Sequence, residues 1–175
     1  MYYYFSASLP ELKPGVPPPL ALTEFDAEAR MHLSACHYAQ LVSEPDDDAE
    51  SPAPLPRVYR EMRKFEEYLR TRIARRRAEK LDLSADFPEP EEYFSEVDSA
   101  LPSLAALDPA ERERGLDMLR WKKLDELAQN HDFDFDHVCA YRARLRIAEK
   151  YRGRDAAAGR ERFDAAVRKI ANQRG

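Results

Sequence analysis

Glycine is scarce in this chain: 5 residues in 175, against 13 prolines. That leaves no Gly-rich loop to cradle a phosphate and few of the positive-φ positions that tight hairpins require, which argues against nucleotide-binding loops and hairpin-rich β folds. Cys36 and Cys139 are the only two cysteines, enough for one bridge at most. They read as the reduced thiols of a cytosolic chain and as small core residues. No apolar run approaches the ~18 residues of a membrane span, and no basic stretch leads into an apolar one near the start. Neither a spanning helix nor a secretory signal is expected. Positive charge is not in excess either: 28 Lys and Arg stand against 33 Asp and Glu, which disfavours a dedicated nucleic-acid binder.

What is present is segregated charge. Residues 57–80 hold 10 basic and 4 acidic groups, whereas 81–117 hold 2 and 11, and 40–56 hold 5 acids and no base. Blocks of opposite sign pair with each other, with a partner, or simply coat solvated helix faces.

The periodicity predicts an all-α chain, an irregular multi-helix bundle of six or seven helices forming one domain over 1–175. Tyr2, Tyr3, Tyr4 and Phe5 precede Pro10, Pro14 and Pro17–Pro19, so the first 22 residues are expected to lie extended against the body. Thr23 opens a helix with Asp26 completing its capping box, and Ser34 caps a second that reaches Leu41. The acidic, Pro-rich stretch 43–56 reads as a mobile loop. Val58, Met62, Phe65, Leu69 and Ile73 define one face of a long helix over 57–81. Pro90 suits a first helical position, with Tyr93, Phe94 and Val97 in a short helix ending near Leu101. Asp108-Pro109-Ala110-Glu111 is a strong start for a helix to Gln129, expected to lie antiparallel to 57–81. Trp121 lies off its Leu stripe and faces either a second packed neighbour or a partner. Asp134 caps a helix to Arg152 with Val138, Tyr141, Leu145, Ala148 and Tyr151 inward. Gly153 ends it, and Asp155 starts a last helix carrying Phe163, Val167 and Ile170.

Chemistry-bearing groups are loosely arranged. His32, Cys36 and His37 lie within about one and a half helical turns, and His131, Asp132, Asp134, Asp136, His137 and Cys139 form a second ligand-rich stretch. Neither has a closed metal-ligand spacing, and Asp at a helix start is an ordinary cap. His137 and Cys139 are two residues apart and diverge on a helix, as do Asp125 and Glu126. No catalytic residue, cofactor or metal is therefore assigned. Arg142 and Arg146 fall on one helical face, suited to an acidic protein surface.

Two segments carry a resemblance. Tyr2-Tyr3-Tyr4, Ala7-Ser8-Leu9-Pro10, Leu12, Pro18-Pro19-Leu20 and Phe25 resemble the N-terminus of an uncharacterised bacterial family whose genes lie beside those of V-type (A/V-type) ATP synthase subunits. The stretch 117–126, Asp-Met-Leu-Arg-Trp-Lys-Lys-Leu-Asp-Glu, followed by His131, Phe133 and Phe135 and a helix over 141–151, is similar to that family's C-terminal half. The resemblance covers residues 1–25 and roughly 115–165. Family members are longer, which implies a chain shortened between about residues 40 and 110. The resemblance carries no catalytic residues. It implies a helical accessory, assembly or stalk-type component of a rotary ATPase, distantly like the all-helical subunit that joins the central stalk to the membrane rotor.

The expectation is a protein that is not an enzyme and works by contact with V-type ATPase subunits. It is expected to be cytoplasmic, held peripherally at the membrane only through a complex, with no nucleic-acid partner and no direct membrane insertion. Tyr2, Tyr3, Tyr4, Trp121, Arg142 and Arg146 are the interface candidates, since aromatic and Arg side chains anchor interfaces. The alternatives are a small metal-dependent hydrolase built on the His131–His137 acidic turn and an Arg-rich adaptor binding nucleic acid.

Overall fold

The computed structural model describes residues 2–43, 54–84, 87–88 and 90–152. Among these lie seven helices and no strand, so the fold is all-α as the periodicity predicts. They are α1 (Tyr2–Ser8), α2 (Leu22–His32), α3 (Ala35–Val42), α4 (Arg57–Lys80), α5 (Ser95–Ala106), α6 (Pro109–Ala128) and α7 (Phe135–Glu149). The expected features at 44–53 and from Gly153 onward, the acidic loop centre and the Asp155 helix, lie outside the described residues.

Helix α7 is the hub. It is buried on most of its circumference: Val138, Cys139, Tyr141, Arg142, Leu145 and Ala148 are all buried. A helix with so wide a buried face needs neighbours on several sides. Here α1, α2, α3, α4 and α6 all pack on it. Burying a side chain the size of Phe25 or Leu145, both with no exposed surface, contributes roughly 1.5–3 kcal/mol each. A second cluster joins Phe65, Tyr68 and Leu69 of α4 to Val97 and Leu101 of α5 and Leu116 of α6, with Met62 touching both clusters. Gly115 lets α5 and α6 approach closely, because a Cβ there would lie 2.2 Å from Leu104 Cδ2.

Helices α4 and α6 run antiparallel. Arg57 at the start of α4 reaches the Leu127 carbonyl near the end of α6 at 2.9 Å, and Glu66 meets Arg120 further back. The basic α4 also meets the acidic stretch that follows it through Arg72–Asp98 and Lys64–Glu92, both 2.5 Å.

Four local readings are corrected. The N-terminal aromatic run is not extended: residues 2–8 form α1, since no proline occurs before Pro10 and helix geometry seats Phe5 against Phe25, with ring centroids 5.7 Å apart. Residues 9–21 are irregular as expected, held by Tyr141 Oη donating to the Pro10 carbonyl and Arg152 to that of Pro18. Helix α2 starts at Leu22 rather than at a Thr23 cap. Glu24 accepts the Ala21 N–H at 2.9 Å, while Asp26 turns to Arg142. Helix α5 starts at Ser95 and runs to Ala106. Tyr93 and Phe94 sit before it, where they lay their rings edge-on against Tyr68 and Phe65 of α4. Cys36 is exposed rather than in the core, whereas Cys139 is buried.

Candidate functional site

The most exposed aromatic surface is assembled from the two ends of the described chain. Asn130, at φ 66°, terminates α6 in the left-handed conformation that Asn tolerates. The turn after it is fastened by acids: Asp134 accepts the His137 N–H at 3.1 Å and lies 2.5 Å from His131 Nδ1, and Asp136 accepts from Arg57 at 2.6 Å. Burial works against the Asp134 carboxylate, but the His131 ring and the His137 N–H outweigh it and hold its pKa below the ordinary value. This braced turn presents Phe133, 50% exposed, beside Tyr3, with ring centroids 4.5 Å apart. Tyr4, 81% exposed, stands edge-on to Tyr3 at 5.6 Å. Phe5 of the same helix is buried, so α1 is anchored by one aromatic while two others face solvent. Side chains of this type, amphipathic and stiff, form contact anchors. Tyr2 opens α1, and its side chain lies outside the described residues.

A second concave feature is a trough of about 820 Å³ between α4, α6 and α7. Its walls are mainly charged: Arg63, Arg70, Arg146 and Lys150 line it with Glu66 and Glu67, and Met62 is the main apolar side chain exposed in it, since Tyr59, Leu124 and Ile147 beneath are buried. Thus Arg146, half-buried, keeps its place as a surface candidate.

Trp121 and Arg142 do not. Trp121 is 4% exposed, because the row Asp117, Trp121, Leu124 forms a second inward face of α6 beside the Leu116 face. Of the two neighbours open to it, the structure places the packed one. Arg142 is 7% exposed and spends its guanidinium on Asp26, at 2.8 and 3.1 Å. A guanidinium held by two bonds inside the fold is a brace between α7 and α2, not a contact for a partner.

The ligand-rich stretches are dispersed. His32 stacks on Phe5 and pairs with Glu28, while His37 stacks on Phe135. Cys139 enters the core. His137 instead faces a shallow hollow with Asp125, Asp132 and Arg144, where burial, then the Arg144 charge, pushes its pKa below the ordinary value. Asp125 pairs with Arg144 at 3.0 Å and Glu126 with Lys123 at 3.1 Å. Among the described residues no group of three or more His, Cys, Asp or Glu could hold a metal ion. Nor is any described helix long and apolar enough to cross a membrane.

A family model described as "Protein of unknown function (DUF2764)" matches residues 61–174, well over half the chain. The chain belongs to this family. The match takes in α5–α7, most of α4, the turn that carries Phe133 and all of the trough but Tyr59. No curated protein and no solved structure matches the chain.

Sequence reasoning missed Asp117 and underweighted Phe133. Asp117 is 2% exposed and collects Lys150 at 2.7 Å and Arg120 and Tyr151 at 3.2 Å. Its signal was present: Asp117, Trp121 and Leu124 step by 4 and 3, so a carboxylate stands on an inward stripe and has to be paired. Phe133 gave no such signal, since its neighbour Tyr3 is 130 residues away in sequence and only folding joins them.

Proposed function

We propose that this chain is a non-catalytic component of a V-type ATPase that acts by protein–protein contact, and that the Tyr3–Tyr4–Phe133 patch is the face it offers to a subunit of that complex. The observation that carries the contact reading is that patch. Three aromatic rings are held half or more exposed, Tyr3 and Tyr4 on α1 and Phe133 on a turn braced by Asp134, Asp136, His131 and Arg57. Exposing such rings forfeits burial that the fold would otherwise gain, unless a partner covers them. The ATPase assignment is supported by the resemblance of residues 1–25 and 115–165, the two segments that supply the patch. On this reading the chain is cytoplasmic and reaches the membrane only through the complex.

The test is affinity capture of the tagged full chain from solubilised membranes of its source cells. Wild type is expected to recover V-type ATPase subunits, and the Y3S/Y4S/F133S variant to lose them while keeping its helical circular dichroism. Recovery of no ATPase subunit by the wild type, or equal recovery by the variant, overturns the reading.

A further inference from the structure

The aromatic patch has an electrical sign, and that sign narrows what can cover it. Phe133 stands between Asp132 and Asp134 in the chain, and Asp136 closes the same turn. The cations nearby already have acids of their own. Arg57 holds Asp136 at 2.6 Å, and Arg144, across the hollow that Asp132 helps to line, holds Asp125 at 3.0 Å. Asp134 is met by the His131 ring and the His137 N–H. Asp132 is exposed and makes no hydrogen bond or ion pair among the described residues. Neighbouring Cα atoms are ~3.8 Å apart, so the charges of Asp132 and Asp134 lie near the Phe133 ring, where a Debye length of about 8 Å screens them little.

The rings add to the same sign. An aromatic face carries the negative part of the ring quadrupole and attracts a cation within about 6 Å of its centroid. Tyr3 and Phe133 lie tilted at 4.5 Å and Tyr4 stands edge-on to Tyr3, so the exposed rings present faces at more than one angle. Among the described residues, Arg30 lies over Tyr38, Arg72 over Tyr68 and Lys123 over Phe94, and no cation of the chain covers Tyr3, Tyr4 or Phe133. We infer that the patch binds an arginine-bearing segment of a protein partner, with guanidinium groups laid over Tyr3, Tyr4 and Phe133 and their charge facing Asp132 and Asp134. This rests on the reading of the patch as a contact face and adds the chemistry of what it contacts. Arginine suits the patch better than lysine, because a planar guanidinium stacks on rings and is more weakly hydrated. A phosphate backbone or an anionic lipid surface would meet like charge at Asp132 and Asp134.

The experiment titrates the full chain, at about 0.15 M salt, with a short labelled peptide in which arginines alternate with Gly and Ser. Peptides with Lys, Leu or Glu in place of every Arg serve as comparisons. The Arg peptide is expected to bind saturably, at least about tenfold more tightly than the Leu or Glu peptide and several-fold more tightly than the Lys peptide. Y3L/Y4L/F133L keeps apolar side chains, removes the aromatic faces and should weaken the Arg peptide about tenfold. Asp132→Asn should weaken it several-fold, whereas Glu67→Gln, the same charge change at an exposed position well along α4, should not. Should the triple variant unfold, the comparison of Asp132→Asn with Glu67→Gln decides alone. No saturable binding, equal binding of any comparison peptide, or an Asp132→Asn effect no larger than that of Glu67→Gln overturns the proposal. Capture of ATPase subunits that is lost in Y3S/Y4S/F133S, without any binding of the Arg peptide, overturns this inference and leaves the contact reading standing.

Discussion

Arg142 of α7 and Asp26 of α2 form a two-bond ion pair, 2.8 and 3.1 Å, that closes a loop of 116 residues. With Arg142 only 7% exposed, the pair matters chiefly through what its breaking would leave behind. Asp26→Ala removes the two-bond carboxylate from a buried cation and should destabilise the fold by about 3 kcal/mol. Replacing both residues, Asp26→Ala with Arg142→Leu, removes the buried charge as well and should recover part of the loss. Denaturant melts of the two single variants and the double variant measure this. Additive losses would show that the two side chains do not act as a pair.

Asp117 ties α6 to the end of α7. Lys150 and Tyr151 both donate to it from the turn after α7, and Arg120 donates from its own helix. Asp117→Ala is expected to cost about 3 kcal/mol, because a buried acceptor of three donors disappears. Tyr151→Phe, which removes one hydroxyl and keeps the ring, should cost about 1 kcal/mol. Equal losses from the two variants would mean that the Tyr151 hydroxyl alone, and not the Lys150 and Arg120 bonds, accounts for what Asp117 contributes.

Two tyrosines give the fold an alkaline limit. Burial, and then the hydrogen bond to Asp98, pushes the Tyr68 hydroxyl from its ordinary 10.0 up to about 12. Burial alone lifts Tyr141 to about 12, against the opposing pull of Arg144. A folded pKa above the unfolded one stabilises the fold fully below pH 10.0, and that contribution is lost as pH rises toward about 12. The melting midpoint of the wild type should therefore fall across that window, less so in Tyr68→Phe or Tyr141→Phe, and least in the double variant. A double variant that falls as steeply as wild type contradicts this. The acid side has the opposite sign. Burial opposes the Asp98 charge, but bonds from Tyr68 and Arg72 win and lower its pKa. Its contribution is present above the ordinary carboxylate range and fades as pH drops below it.

Helix α6 begins where Asp108 Oδ1 accepts the N–H groups of Ala110 and Glu111, at 2.8 and 3.0 Å. The Glu111 N–H is the main influence holding this carboxyl below its ordinary pKa. Asp108→Ala should lower the melting midpoint, and Asp108→Ser, which keeps a cap acceptor, should lower it less. Equal midpoints for Asp108→Ala and wild type would mean that α6 does not depend on this cap.

Legibility in the sequence followed locality. The stripe of α4 and the Asp108 and Asp134 caps are set by neighbours within a few residues, and each was read correctly. Helix α1 was not, because seven residues have too little helix stability of their own; it stands on the docking of Phe5, a tertiary effect. The start of α2 was misplaced because Asp26, a plausible cap partner, is engaged by Arg142 far along the chain. Tyr3 and Tyr4 could be named as contact candidates from composition. Their juxtaposition with Phe133 could not, since it depends on α1 packing against α7. The trough belongs to three helices at once and has no signature in any one of them.

The proposed binding of a V-type ATPase through the aromatic end is tested most directly by the equilibrium affinity of the purified full chain for the purified ATPase of the same organism, for wild type and for Y3S/Y4S/F133S. Saturable binding by wild type is expected, with a loss of about tenfold or more in the variant at an unchanged melting midpoint. Absence of saturable binding, or equal affinity of the two proteins, would contradict it.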